Sequence, residues 1–265
     1  MSSYIGKHAS FYDLFYSDKP YKAEAEFVHE CLVRFGSGKV NRILELACGT
    51  GSHALELEKK GYNIIALDYS VDMIEYARSK AKEARSKIDF RCVDMRNVSI
   101  LPEPVDAILC LFDSIGYVVT NESILRVFRN VARQLREGGV FMFEFWHAGA
   151  MLKHYEPLRI KEWMVPHGRI VRVAKTALSL GSQTANVDYS IYEFNNDGTY
   201  SCIKESQTNR FFLLKEMELL LKSGGLSPIK WYCGFSQNEN ITDETWHIVC
   251  VARIKSAERD VDHES

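Results

Sequence analysis

The chain has no long apolar run, no paired-cysteine spacing and no surplus of either charge, and each absence removes a class of explanation. No stretch approaches the roughly 20 apolar residues that cross a bilayer, so no membrane partner is expected. Seven cysteines (31, 48, 92, 110, 202, 233 and 250) show no C-x-x-C and no repeated interval. Cys110 in AILCLF and Cys250 in HIVCVA sit inside apolar runs, which reads as reduced, buried thiols rather than crosslinks. His147, His154 and His167 lack a tight spacing with carboxylates, so no metal is expected. The formal net charge of −2 offers no general attraction for a phosphate backbone, and nucleic acid is not expected as a partner. The N-terminal MSSYIGKHASFYDLFYSDKPY lacks the apolar core of a signal peptide, from which a cytoplasmic location is expected.

What is present fits one sizeable α/β domain. Of 265 residues, 46% are apolar and 26% charged, enough to bury a core without metals or crosslinks. A helix is predicted over Tyr21–Phe35, with Ala25, Val28, Leu32 and Phe35 on one face. Apolar runs and helical patterns then alternate. RILELA (42–47), NIIALD (63–68), IDFRCVD (88–94), VDAILCLF (105–112) and GGVFMFEFW (138–146) read as strands. HALELEKK, VDMIEYARSKAKEA and SILRVFRNVARQLR read as helices. This order implies a doubly wound, mostly parallel sheet with helices on both faces, closed by IKWYCGF and HIVCVARI to seven strands. Such a sheet binds ligands beyond the carboxyl ends of its strands. Residues 168–214 hold three further β-like stretches broken by Gly181-Ser182 and Asn195–Gly198, expected to form an antiparallel insertion after the fifth strand. Residues 1–40 are expected to form a helical lid, and 256–265 a disordered tail.

The strongest chemical signal is Glu45-Leu46-Ala47-Cys48-Gly49-Thr50-Gly51-Ser52-His53, between the first strand and helix. Its glycines allow a sharp turn and close approach of a ligand. The helix beyond offers unpaired N–H groups. Glu45 is placed to hold a cationic amine or to order the loop. Asp68 ends the second strand and suits the hydroxyls of a ribose. Asp94-Met95 ends the third, placed to meet an adenine edge and face.

With these motifs the sequence resembles the class I S-adenosylmethionine-dependent methyltransferases. ELACGTGSH is similar to their first motif, LDYSVDMIEYAR to the second, and VDMRN and VDAILCLFDSIGYV to the third and fourth. The resemblance implies S-adenosyl-L-methionine as cofactor, with Ala47, Gly49 and Gly51 at its methionine moiety and Asp68 at the ribose. It places Tyr69 and Met73 against adenine, Asp94 and Met95 at the adenine amine and face, and Leu111 beneath the sulfonium. Within the family the chain is most similar to the N,N-dimethyltransferases of nucleotide-linked amino sugars, through FYDLFYSDKPYKAEA, LACGTGSH, SIGYV and the antiparallel insertion. Tyr12, Tyr16 and Tyr21 are then candidates to fold over the cleft, Tyr12 and Tyr21 at the cofactor and Tyr16 at the acceptor.

The sulfonium already activates the methyl group, so the protein has to align a nucleophile and exclude water. Tyr117 is the candidate polar residue beside the acceptor, Asp113 and Glu144 are the carboxylates that orient or deprotonate it, and Trp146 and His147 line its pocket. A small-molecule acceptor, an amine above all, is expected, with O-methylation of a small metabolite as an alternative. The FDSIGY sequence differs from the Asn/Asp-Pro-Pro-aromatic element that holds a flipped base. Gly49-Thr50-Gly51-Ser52-His53-Ala54 also fits the dinucleotide pattern, which leaves a NAD-dependent oxidoreductase open, as well as a cofactor-binding module without catalysis. Plainer roles exist too. His53 fits packing at a helix start, Cys48 a small loop residue, Asp113 a helix cap and Tyr117 a packed aromatic. The tyrosines at 12, 16 and 21 fit core positions between Phe11 and Phe15, and the insertion fits a homodimer contact.

Overall fold

A computed structural model describes residues 7–255; the expected tail at 256–265 lies outside the described residues. Five strands of the main sheet run parallel. They are β1 (Arg42–Leu46), β2 (Asn63–Asp68), β3 (Asp89–Cys92), β4 (Val105–Cys110) and β5 (Leu135–Trp146). β11 (His247–Ile254) pairs antiparallel with β5, and β10 (Leu226–Cys233) with β11. The spatial order is β10-β11-β5-β4-β1-β2-β3. The chain steps outward from β1 to β2 in one direction and to β4 in the other, which opens a crevice at the carboxyl ends of β1 and β4.

Strand side chains alternate between two buried layers, as expected of a sheet covered on both faces. Ile43, Ile64, Leu109 and Met142 pack beneath α3 (Tyr21–Phe35), α4 (Ser52–Glu58) and α5 (Val71–Ala84). Leu44, Leu46, Ile108, Phe141 and Phe143 pack beneath α6 (Asn121–Gln134) and α8 (Leu214–Ser223). Fully burying one such phenylalanine or leucine contributes about 1.5–3 kcal/mol. The helix starts are built locally. Ser70 accepts from Met73 N–H ahead of α5, and Thr120 from Ser123 N–H ahead of α6.

Two expectations change. α3 packs into the main helical layer through Ala25, Val28 and Leu32, so among the described residues the cover over the crevice is formed by the short helices α1 (Lys7–Ser10) and α2 (Tyr12–Phe15) with the first residue of α3, Tyr21. The insertion begins earlier than residue 168 and has four antiparallel strands, β6 (Leu158–Val165), β7 (Gly168–Ser179), β8 (Thr184–Asn195) and β9 (Tyr200–Arg210). The helix α7 (Ala148–His154) leads into it. The base of the insertion is pinned to the main domain. Arg210 donates to Val119 O at 3.0 Å and Asn121 Oδ1 at 2.7 Å, and pairs with Glu216 at 2.5 Å. Gly116 lies so close to Asn209 that a Cβ there would sit 1.7 Å from Oδ1. The inner face of the insertion therefore looks across the crevice at the strand tips.

Candidate active site

A cavity of about 1190 Å³ fills the space between the strand tips, α2 and the insertion. That exceeds the upper end of roughly 1,000 Å³ for ordinary ligand pockets. It has room for two ligands side by side.

At the β1 end the chain turns through left-handed backbone at Ala47 (φ 53°), Gly49 (φ 56°) and Gly51 (φ 75°). Asp68, at the tip of β2, holds this loop: one carboxylate oxygen accepts from Gly49 N–H at 2.9 Å, the other from Ser70 N–H at 2.9 Å. Burial raises the Asp68 carboxyl, and the backbone donors work against that shift. Glu45 lies below, only 2% exposed. Its Oε2 is buried with no hydrogen-bond partner. Burial, helped by the Asp68 charge, pushes its carboxyl up to about 8. A cationic amine beside Oε2 supplies what that atom lacks, whereas a pyrophosphate there would meet an acid. The loop thus fits an amino-acid moiety better than a dinucleotide.

Around this loop stand Tyr69, Met73 and Met95 at the tips of β2 and β3, and Leu111 after β4, all on the cavity wall. Asp94 lines it too, but Arg96 already claims its carboxylate, with Nε 2.9 Å from both oxygens and the Arg96 N–H at 2.8 Å from Oδ1. These contacts hold the Asp94 carboxyl below its ordinary value despite partial burial, so an adenine amine would share an acceptor in use. Gly51 is not on the cavity. A Cβ there would fall 2.7 Å from the Phe90 ring, so this glycine lets α4 close on β3.

The N-terminal helices cover the loop. Tyr12 is buried over Gly49, and its ring packs on Tyr16, which meets Phe112 edge-on at 4.9 Å. Burial raises the phenols of Tyr12 and Tyr21, so both are neutral. Asp13 latches this cover to the glycine loop and α5, accepting from Thr50 Oγ1 at 2.6 Å and Lys80 Nζ at 2.8 Å. Below it, Glu24 joins Lys19 (2.5 Å) and His53 (2.6 Å). His53 on the cavity wall is thereby a packing and pairing residue.

The floor beyond Leu111 carries an acidic group. Phe112 (φ 57°) and Asp113 (φ 55°) are both left-handed, an arrangement that costs free energy and concentrates at functional sites. Glu144 of β5 holds it from beneath, its Oε2 accepting from Phe112 N–H at 2.7 Å. His247, the first residue of β11, completes the group. Its Nδ1 lies 3.0 Å from Asp113 Oδ2 and 3.0 Å from Glu144 Oε1. The Asp113 charge, with the hydrogen bonds that the imidazole donates to both carboxylates, pushes His247 up to about 11 against the opposing effect of burial. Burial and the Asp113 charge raise Glu144, with His247 opposing. The imidazole thus stands between two carboxyl groups at the floor of the cavity. The three donor atoms also lie within 4.8 Å of one another, a spacing that suits a metal ion and that the histidine spacings in the sequence did not reveal.

Tyr117 and Trp146 line the cavity beside this floor, and Tyr117 Oη donates to Gln207 Oε1 of the insertion at 3.3 Å. Glu144 is beneath the floor rather than on the wall. His147 is off the cavity as well. It caps α7 and packs with Nδ1 3.2 Å from Thr245 O, tying the insertion's root to the loop before β11. Sequence reasoning missed His247, because only the pairing of β11 with β5 brings it to Asp113. It also missed Arg172, which faces the cavity from β7.

Comparison with known proteins agrees with this geometry. A methyltransferase-domain family matches residues 43–139. The chain is 27% identical to YqeM of Bacillus subtilis, which carries only a general methyltransferase designation, over 87% of this chain and 90% of that protein. It is 34% identical to the dTDP-3-amino-3,4,6-trideoxy-α-D-glucopyranose N,N-dimethyltransferase of Streptomyces venezuelae, over 52% of this chain and just 57% of that relative's length. A solved S-adenosylmethionine-dependent methyltransferase from Clostridium acetobutylicum superimposes with a TM-score of 0.80, covering 94% of this chain and 98% of the other at 24% identity. Residues 43–139 thus carry a methyltransferase domain, and the fold with its insertion is that of S-adenosylmethionine-dependent methyltransferases.

Proposed function

We propose that the protein methylates the amine nitrogen of a small molecule, an amino sugar being the acceptor class. The observation that carries this reading is the floor formed by buried Asp113 and Glu144 with half-buried His247, beside Tyr117. An amine reaches the enzyme largely as a cation, and a floor with two carboxyl groups offers it acceptors and a place for its proton. A hydroxyl carries no charge for those groups to attract. The naming of the Streptomyces venezuelae relative as an amino-sugar N,N-dimethyltransferase supports the acceptor class.

When bound, S-adenosyl-L-methionine supplies a methyl group already activated on a sulfonium. The chain's own residues do the rest. Glu45 takes the cofactor's ammonium, Ala47 and Gly49 let its backbone approach, and Asp68 accepts from the ribose hydroxyls. Tyr69, Met73 and Met95 flank the adenine, with Asp94 at its amine. Leu111 lies under the sulfonium. Tyr12 and Tyr21 close over the cofactor and exclude water, while Tyr16, Tyr117 and Trp146 orient the acceptor. Asp113 accepts the proton that the nitrogen releases as it gains the methyl group. Glu144 and His247 hold Asp113 in its left-handed position.

Asp113→Asn tests the reading, because asparagine tolerates that backbone. Cofactor affinity by calorimetry is expected to stay within a few-fold. Turnover of an amine acceptor is expected to fall by about 10²–10⁴, the usual worth of a general base. Unchanged turnover would remove Asp113 from the chemistry.

A further inference from the structure

We infer that Lys19 is a positioning residue that carries closure of the N-terminal cover to the floor of the cavity by clamping the ring of Phe112. The inference rests on the reading of this cavity as the transferase site and adds a link between the cofactor cover and the floor.

Lys19 stands between α2 and α3. Its N–H donates to Tyr16 O at 3.1 Å and its carbonyl accepts from Tyr21 N–H at 2.9 Å, which ties it to two tyrosines of the cover. The side chain is 12% exposed and turns inward, where Nζ pairs with Glu24 at 2.5 Å. That pair accounts for a buried lysine. It does not account for the second neighbour. Nζ also lies 4.2 Å from the ring centre of Phe112, nearer than the 5.6 Å to Tyr21 and to Phe235. A cation over a ring face is held more firmly as water is excluded. Tyr16 meets the same ring at 4.9 Å and 89°. Two residues of the cover therefore grip one side chain of the floor.

Phe112 is where that grip has leverage. Its backbone is left-handed, as is that of Asp113, a conformation that persists only where the surroundings enforce it. Glu144 secures the turn from beneath through Phe112 N–H, and Lys19 with Tyr16 secures it from the cover. An open cover releases the second set of contacts and leaves Asp113 less firmly placed. Closure also brings a cation to the floor. Glu144 faces Asp113, His247 and Lys19, with the Cys110 thiol that burial keeps neutral. Lys19 and His247 lower a carboxyl that burial and Asp113 raise. On its other side Lys19 faces Glu24, which His53 near the start of α4 shares at 2.6 Å. The glycine loop, the cover and the floor are thus joined through one ammonium.

Amide hydrogen exchange on the full chain, with and without S-adenosylhomocysteine, tests the link without an acceptor. In the wild type the ligand is expected to slow exchange together in the cover (residues 11–21) and in the floor turn (residues 111–117). Lys19→Met is expected to bind the ligand within a few-fold of the wild type and still protect the glycine loop. Its floor turn is expected to exchange about tenfold faster. Phe112→Leu leaves the Lys19–Glu24 pair in place and is expected to show the same loss. Lys19→Arg keeps both contacts and is expected to restore the protection. With a nucleotide-linked amino sugar as acceptor, the acid limb of kcat in Lys19→Met is expected to move up by about half a pH unit, because loss of the cation raises Glu144. The inference is overturned if the ligand protects the cover of the wild type alone, if Lys19→Met or Phe112→Leu keeps the floor protected, if Lys19→Arg does not restore it, or if the acid limb stays in place. Failure of the wild type to bind S-adenosylhomocysteine would instead overturn the transferase reading beneath it. Binding without methylation of the amino sugar would overturn the amine reading and leave the exchange data to decide the link.

Discussion

Glu45 makes cofactor binding depend on pH in a direction that can be worked out. In the free protein its carboxyl is pushed up to about 8 and its Oε2 has no partner, so at pH 6 it carries a proton. A cofactor ammonium beside it favours the carboxylate, and binding then releases that proton. Below about pH 8 the affinity should therefore rise about tenfold per pH unit, or about 1.4 kcal/mol. Between about pH 5.5 and 7.5 the gain is on the order of a hundredfold. Above that window the ligand's own α-amino group, which titrates near 8, begins to lose its charge and the gain stops. The perturbation is Glu45→Gln, isosteric and neutral throughout. The assay is calorimetric titration of S-adenosylhomocysteine across this range in two buffers of different ionisation enthalpy. The wild type should show the slope and the released proton, and the variant neither. Stability runs the other way. A raised carboxyl contributes stability that is full below its ordinary value and is lost as pH rises through about 8. Affinity that stays flat in the wild type, or an equal slope in Glu45→Gln, would refute the reasoning.

Two further outcomes are expected. His247 is raised from its ordinary value to about 11, so its contribution to stability is full below about pH 6.5 and is lost progressively towards pH 11. His247→Gln should remove that dependence and cost about 2–3 kcal/mol at pH 7, the figure for breaking a buried pair reduced because the imidazole is 41% exposed; urea unfolding at several pH values measures both. Asp13→Ala removes the latch from α2 to Thr50 and Lys80. It should raise KM for the cofactor about threefold, with kcat nearly unchanged and little loss of stability because the pair is largely exposed; steady-state kinetics decides this.

The part of the cavity wall built from the glycine loop is legible in the sequence because it is local. A strand, a glycine turn and a helix start follow one another within a dozen residues, and Asp68 closes the next strand. The acceptor half is assembled by distant pairing. His247 meets Asp113 only because β11 runs back along β5, and no periodicity near Asp113 announces it. Strand β6 is hidden for another reason. Its apolar residues Leu158, Ile160 and Met164 face solvent, while Arg159 and Lys161 face the cavity. The usual assignment of apolar side chains to the buried face is thus inverted. His147 illustrates the reverse error. It follows the tip of β5, where acceptor residues are expected, yet the chain turns there into α7 and the imidazole packs against Thr245.

The carboxyl groups of the floor, Asp113 and Glu144, are proposed to select nitrogen over oxygen. The most direct measurement is the mass of the product when the enzyme and S-adenosyl-L-methionine meet two nucleotide-linked sugars that differ only in an amino or a hydroxyl group at one position. The amino compound should gain methyl mass on nitrogen and the hydroxyl compound none. Equal methylation of the hydroxyl compound would contradict it.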